Sequence, residues 1–528
     1  MKKIIIYDTT LRDGAQAEGV VFSGVAKLEI ARRLDAFGID IIEGGFAASN
    51  PKDMEFFSAI KAENLRHSKI AAFGSTRRAG VEVSADIGVV ALLEADTPVV
   101  TIFGKSWLLH VLEVLRTTAE ENLSMIGETV AYLKGQGKEV IYDAEHFFDG
   151  YKDNSEYALS TLQAAADAGA DCIVLCDTNG GCLPHEIVEI TEAVADEVDA
   201  PLGIHAHNDS GVAVANSLEA VRVGAMHVQG TINGFGERTG NADLISIIPN
   251  LVMKAGYDCA SSGNLKDLKK LALFICEQAN IRPNQRAPFV GDSSFAHKAG
   301  MHVDGVRKCR QSFEHIDPES IGNERRILMS ELSGASNVFL KAVEMGVDIE
   351  RKSPEVREIL KQLENMEKEG YEYESADASF KMLIKKVLKS HKHFFDLEGF
   401  RVIVEKSAEG GACVSEASVK LRVGDKREFT VGEGDGPVDA LNDALRKALT
   451  RFYPKIGDVV LEDYKVRILD PEEATSAKTQ VLIESSDGEQ HWGTVGVSEN
   501  IIEASWEALV EGVEYKLFLE EEKETMDE

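Results

Sequence analysis

Between residues 3 and about 255 the chain alternates short apolar runs with amphipathic helical patterns, eight times in succession. The runs are KIIIYD (3–8), IDIIEGG (39–45), KIAAFG (69–74), PVVTIFG (98–104), EVIYDAE (139–145), CIVLCDT (172–178), PLGIHAH (201–207) and HVQGTI (227–232). Each has strand length, and most are nearly continuous in apolar character, as strands buried on both faces are. Between them, stretches such as VAKLEIARRLDAFG and LPHEIVEITEAVADEV repeat apolar residues at three- and four-residue spacing. Several of these stretches end on Gly, which readily takes the left-handed conformation that closes a helix. Strand–helix alternation demands parallel strands joined by helical crossovers. Eight units in about 250 residues match a (β/α)8 TIM barrel in count and length, which assigns it to residues 1–260. An open, doubly wound sheet is the competing arrangement.

The remainder divides by pattern. Residues 261–389 read as helical linker subdomains with loops at RPNQRAPFVGDSS and EHIDPESIGN. Residues 390–520 turn strand-rich: FRVIVEKS, EASVKLRV and REFTVG precede the helix PVDALNDALRKALTRFY, and YKVRIL, TQVLIE and HWGTVG precede NIIEASWEALVEGVEY. Thr430-Val431-Gly432 before one helix is echoed by Thr494-Val495-Gly496 before the other. This is a duplicated strand–strand–strand–helix unit, a separate C-terminal α+β domain. Residues 521–528 form an acidic tail expected to fray.

The net charge of -32 excludes nucleic acid and anionic membrane as main partners, because both need basic surface. The opening apolar run is too short for a signal peptide, and no later run approaches a membrane span. Seven cysteines without a Cys-x-x-Cys fit free thiols in a reducing, cytoplasmic interior.

In such a barrel the chemistry gathers at the C-terminal ends of the strands. His205 and His207 end the seventh run, two apart, so a strand directs both imidazoles to one side. The first run leads into DTTLRDGAQ, where Asp13 offers a carboxylate and Arg12 a fixed positive charge. Strands one and seven of a closed barrel are separated by strand eight, so their loops meet over the rim. After the eighth run, NGFGERTGNADL places Gly234, Gly236 and Gly240 before a helix, where backbone N–H groups could hold an anion, and Asn241 offers another oxygen. Glu145, His146, Asp177 and Thr178 follow strands five and six. A mixed oxygen and nitrogen set with open positions suits a divalent Lewis acid, with Mg, Mn, Co and Zn all compatible.

TLRDGAQ, IHAHND and GERTGN, in that order at strands one, seven and eight, resemble the Claisen-type acyl-CoA condensing family. That family holds the isopropylmalate, homocitrate and citramalate synthases and the hydroxymethylglutaryl-CoA lyases. FAHKAGMHVDGV (295–306) and GDGPVDALNDAL are similar to its synthase branch. EGGFAASNPKDMEFF, VTIFGKSWLLHV, YDAEHFFDG and LCDTNGGCLPHE resemble the members that join acetyl-CoA to pyruvate, an entry to isoleucine synthesis.

The resemblance implies a divalent metal held by Asp13, His205 and His207 with Asn241, and acetyl-CoA as co-substrate. It implies catalytic roles for Arg12, Glu145 and His302. Thr178 would meet the substrate carboxylate, Glu237 with Gly234 and Gly236 the acyl-CoA, and Tyr142 is expected to narrow the keto acid pocket. It further implies a homodimer and isoleucine as feedback effector of the C-terminal domain, with VGEGDGPVD (431–439) as a place for a small zwitterion. Thr101 stands where sister synthases carry His, and Phe313 where the family carries Tyr. The alternatives are a sister synthase taking a bulkier keto acid such as 2-oxoisovalerate, a lyase, and a non-catalytic metabolite sensor that kept the barrel.

Overall fold

A computed structural model of the 528-residue chain describes residues 2–48, 51–298, 302, 305–306, 308–327, 339, 342–343, 349–350, 353–406, 413–469 and 477–527. It has two compact units. The first spans Met1–Phe295 with Ile316–Arg325, and the second Ala296–His315 with Arg326–Glu528.

The first unit is a closed barrel of eight parallel strands in sequence order. They are β1 (Ile5–Asp8), β2 (Ile41–Phe46), β3 (Lys69–Ser75), β4 (Val99–Lys105), β5 (Glu139–Glu145), β6 (Cys172–Asp177), β7 (Leu202–Ala206) and β8 (His227–Gly230). The barrel closes where β1 pairs with β8, Ile5 opposite His227 and Asp8 opposite Gly230. Strand parity divides the core. Tyr7, Ile41, Ala71, Val99, Ile141, Cys172, Val174 and Cys176 pack together inside the barrel. Their neighbours Ile6, Ile42, Ile70, Val100, Tyr142 and Ile173 face outward into the larger layer under the helices.

Sequence signals set the helix ends as expected. Ser23 accepts from Ala26 N at the start of Gly24–Phe37, and Gly38 closes that helix at φ 95°. The unit runs past residue 260: helix Leu268–Gln278 buries Leu268, Leu271, Ala272 and Ile275 in the barrel's outer layer.

Strand β2 carries a bulge between Glu43 and Gly45. A buried ion pair fixes it: Lys27 Nζ lies 2.6 Å from Asp53 Oδ1 and donates to Gly44 O, while Asp53 Oδ2 accepts from Phe46 N at 3.0 Å. At Gly45, φ is 156°, and an added Cβ would strike the Asp53 carboxylate.

In the second unit, β9 (Ala296–His297) pairs with β10 (Arg326–Ile327). The duplicated halves follow. Strands β11 (Asp396–Lys406), β12 (Cys413–Val423) and β13 (Lys426–Gly434) precede helix Pro437–Leu449; β14 (Val460–Ile468), β15 (Thr479–Ser486) and β16 (His491–Ser498) precede helix Ile501–Asp527. The echo in the sequence has a physical basis. Thr430 Oγ1 donates to Ala444 O and Thr494 Oγ1 to Ala508 O, one helix packed on each sheet in the same way. A Cβ on Gly432 would strike Ala440 O, and one on Gly496 would strike Ala504 O.

Two expectations meet differences here. A boundary between residues 389 and 390 falls inside this unit, because helix Asp377–Val387 is part of its core: Ser379 Oγ accepts from Val495 N, and Phe380 packs with Val495. The tail over 521–527 continues the last helix instead of fraying, because Glu521 pairs with Lys392, and Glu522 with Lys381 and Lys385; Glu528 lies outside the described residues.

All seven cysteines are free, five of them buried. Among the described residues no helix is long and apolar enough to cross a membrane.

Candidate active site

The loop after β1 folds back on itself. Asp8 accepts from Thr10 N and Thr10 Oγ1, at 3.0 and 2.8 Å, and Gly14 N donates to Thr9 O. This turn places Arg12 and Asp13 over the end of the barrel. Asp13 meets the two imidazoles there: Asp13 Oδ2 lies 3.5 Å from His205 Nε2 and 3.9 Å from His207 Nε2, and the two Nε2 atoms are 3.4 Å apart. One ligand atom from each residue falls within 4.8 Å of the others. Asn241 lies beside them, because His207 and Asn241 form an isolated antiparallel bridge. Among the described residues, its amide oxygen and nitrogen, and His207 Nδ1, are buried without hydrogen-bond partners. Three converging donors with orphaned polar atoms beside them are the chemistry a divalent ion satisfies.

The electrostatics fit this use. Burial works against the charge on Asp13, but Arg12, His205 and His207 outweigh it and hold the carboxyl below its usual range. Burial, with His205 beside it, lowers His207 to about 4, so its ring is neutral at neutral pH and offers a lone pair.

Arg12 is held from two sides. Its Nε donates to Glu43 Oε2 at 2.7 Å, its Nη1 lies 3.3 Å from Asp13 Oδ2, and its guanidinium lies 3.8 Å from the centre of the Phe73 ring. Glu43 is fully buried on β2 and also accepts from Thr9 Oγ1 and from Tyr7 OH, whose oxygen meets Thr101 Oγ1 at 2.8 Å.

These groups open onto a cavity of about 260 Å³. Its walls include Gln16, Glu145, Cys176, Thr178 and Glu237, with three aromatic rings, Phe46, Phe73 and Phe103. Glu145 ends β5 and pairs with Lys105, opposite it at the end of β4. Thr178 Oγ1 accepts from His146 N at 2.9 Å. His146 itself packs on His110, ring centres 4.4 Å apart, and Asp177 turns back to accept from Gly181 N and Cys182 N.

Tyr142 requires correction. It is fully buried and faces outward into the layer beneath the helices, so it cannot narrow the cavity. Strand parity is the reason: Glu145 and Asp143 face in, and Tyr142 between Ile141 and Asp143 faces out. Gly234 and Gly236 shape the loop and do not line this cavity. A Cβ on Gly236 would come within 3.0 Å of the Asn241 side chain, and one on Gly240 would strike Gly234 O. His302 belongs to the second unit, exposed and packed on Phe313 with ring centres 4.6 Å apart. Of its motif, residues 299–301, 303 and 304 lie outside the described residues.

Residues 3–275 match the HMGL-like family, 289–370 the homocitrate synthase post-HMGL domain-like family, and 374–517 the LeuA allosteric (dimerisation) domain. An (R)-citramalate synthase of Aquifex aeolicus is 54% identical over 523 residues, covering 99% of both chains. The chain belongs to the (R)-citramalate synthase family. A second (R)-citramalate synthase, from Geobacter sulfurreducens, is 53% identical with 99% of both chains covered. A probable 2-isopropylmalate synthase of Methanopyrus kandleri is 33% identical over 97% of this chain and 98% of its own.

Several polar residues of this citramalate synthase family member were given no role by the motifs. Glu43 and Gln229 are the only polar side chains well inside the runs IDIIEGG and HVQGTI, and that isolation was the available signal. Gln229 is fully buried, accepts from His205 Nδ1 at 2.8 Å and donates to Asp143 Oδ1 at 2.9 Å. Burial, and then Glu43, push Asp143 well above the usual carboxylate range. Of the three aromatic walls, Phe46 and Phe103 lie within EGGFAASNPKDMEFF and VTIFGKSWLLHV, which gave them no role, and Phe73 lies in no motif.

Proposed function

We infer that this chain condenses acetyl-CoA with pyruvate in a Claisen-type reaction to give (R)-citramalate and CoA. The observation that carries this reading is full-length similarity above 50% to (R)-citramalate synthases, set against 33% to a 2-isopropylmalate synthase. A small aromatic-walled cavity beside Arg12 and the ligand cluster supports it.

Asp13, His205 and His207, with Asn241, would hold a divalent cation of the Mg, Mn, Co or Zn kind, which supplies Lewis acidity to a 2-keto acid when bound. Arg12 faces the same space with its charge fixed by Glu43 and Asp13, so it holds the keto acid oxygen and offsets the alkoxide charge that develops during attack. Glu145 serves as acid/base group. The methyl protons of acetyl-CoA are weakly acidic and need a positioned base, and Lys105 keeps this carboxylate at the cavity wall. Thr178 contacts the keto acid carboxylate, and exposed Glu237, on the rim, meets the acyl-CoA. His302 is assigned a catalytic part from its motif. Water then cleaves the citramalyl-CoA thioester and draws the condensation forward.

The second unit would serve as dimerisation and effector module, with isoleucine as the end product sensed; residues 374–517 carry the match to such a domain. Residues 431–439 are a poor seat for the effector's carboxylate. Asp439 already accepts from Asp435 N at the start of that helix, and Asp443 from Glu433 N, so a carboxylate there meets like charge.

The test is a keto acid panel with acetyl-CoA, following release of the free CoA thiol. Pyruvate should give the highest kcat/KM; a ratio favouring 2-oxoisovalerate overturns the assignment in favour of isopropylmalate synthesis. Titration calorimetry of the intact chain with isoleucine tests the effector, and absence of binding removes it.

A further inference from the structure

We propose that Gln229, oriented by Asp143, is a positioning residue that presents His205 to the cation; this rests on Asp13, His205 and His207 being its ligands. His205 on β7 and Gln229 on β8 are paired in register, and both side chains point into the barrel. Asp143 reaches the far side of the same amide from β5, so the chain Asp143–Gln229–His205 crosses the barrel interior. All three residues are buried, Gln229 completely, so no solvent competes for these bonds.

The order of donors along this chain fixes a tautomer. Asp143 Oδ1 accepts from Gln229 Nε2 at 2.9 Å, so the amide NH2 faces Asp143 and Oε1 faces His205. An acceptor 2.8 Å from Nδ1 requires the proton on Nδ1. In the neutral, metal-binding form of the ring Nε2 then carries the lone pair, aimed at Asp13 Oδ2 3.5 Å away and at the space shared with His207. A buried partner on the non-ligating nitrogen is the arrangement that orients metal-binding imidazoles. Among the described residues His207 Nδ1 has no partner, so His205 is the anchored one of the two rings. If Asp143 loses its acceptor, the Gln229 amide is free to turn. Its NH2 then faces Nδ1, and the imidazole proton moves to Nε2, where it blocks the cation.

The test measures Mn2+ dissociation constants by electron paramagnetic resonance on the full-length chain. The variants are Gln229→Leu, Asp143→Leu and Asp143→Asn, with Asp13→Asn and His207→Ala as ligand controls. Gln229→Leu and Asp143→Leu should weaken Mn2+ about 10- to 100-fold. Asp143→Asn keeps an acceptor and should retain nearly wild-type affinity. Circular dichroism of the metal-free chains checks folding; if Gln229→Leu does not fold, the contrast between Asp143→Leu and Asp143→Asn decides. Unchanged affinity in the Leu variants, or equal losses in Asp143→Leu and Asp143→Asn, overturns the positioning role. Wild-type affinity in the ligand controls instead overturns the ligand assignment itself, and this proposal with it.

Discussion

Replacing Phe103 by Ala should redirect the enzyme toward branched keto acids. Phe103 stacks on Phe73 with ring centres 5.4 Å apart and meets Phe46 at 6.4 Å, so the three rings form one wall of a cavity of about 260 Å³. Phe73 is the poorer target, because its ring also carries the Arg12 guanidinium. Relative to pyruvate, 2-oxoisovalerate adds two carbons. Each is worth about 0.8 kcal/mol when buried, so filling the new space gains about 1.6 kcal/mol. Relieving the overpacking that those carbons meet in the wild-type site adds about 1–3 kcal/mol. Together these make about 2.6–4.6 kcal/mol, so the ratio of kcat/KM for 2-oxoisovalerate over pyruvate should rise at least about 80-fold. The assay is free-thiol release with both keto acids on one preparation, with Phe103→Leu expected to fall between. A ratio unchanged in both variants, with measurable turnover of pyruvate, would refute the idea that this aromatic wall sets the size limit.

Asp13→Asn and His207→Ala should abolish turnover and metal binding while circular dichroism stays near wild type; a metal-stripped chain with full activity contradicts the ligand assignment. Lys27→Met leaves Asp53 buried without its partner and should cost about 3–5 kcal/mol in urea unfolding. The double variant with Asp53→Asn should recover part of this, and a loss below about 1 kcal/mol would show the pair to be dispensable. Burial, with His205 nearby, lowers His227 to about 3, so the folded chain holds it neutral where the unfolded chain takes up a proton near 6.5. Its contribution is whole above about 6.5 and is lost as pH falls toward 3, so His227→Phe should flatten the metal-free stability profile in that window. An unchanged slope would count against it.

The barrel was legible because periodicity and length constrain it so tightly: eight runs of strand length separated by helical patterns leave few closed arrangements. The convergence of Asp13, His205 and His207 was legible because parity directs the two histidines at the end of β7 to one side and the loop after β1 reaches the same rim. Tyr142 was misplaced although the same parity applies. With Glu145 taken as inward-facing, Asp143 had to be inward and Tyr142 outward. Phe46, Phe73 and Phe103 stayed hidden because an aromatic residue in an apolar run carries no sign of which layer it enters; the register of β2 on β3 and of β3 on β4 brings the three rings together. The extent of the second unit was illegible for a similar reason, since helix Asp377–Val387 joins a core assembled from strands more than a hundred residues later.

The ligand cluster straddles the seam at which the barrel closes. Asp13 follows β1, while His205, His207 and Asn241 come from β7 and the turn after β8. These residues lie far apart in the chain, and the pairing of β8 with β1 brings their strands together. A cation held by these residues would bridge the closing seam: a chain in which β8 has come away from β1 would offer it only part of the site, and a bound ion would in turn resist the opening of that strand pair.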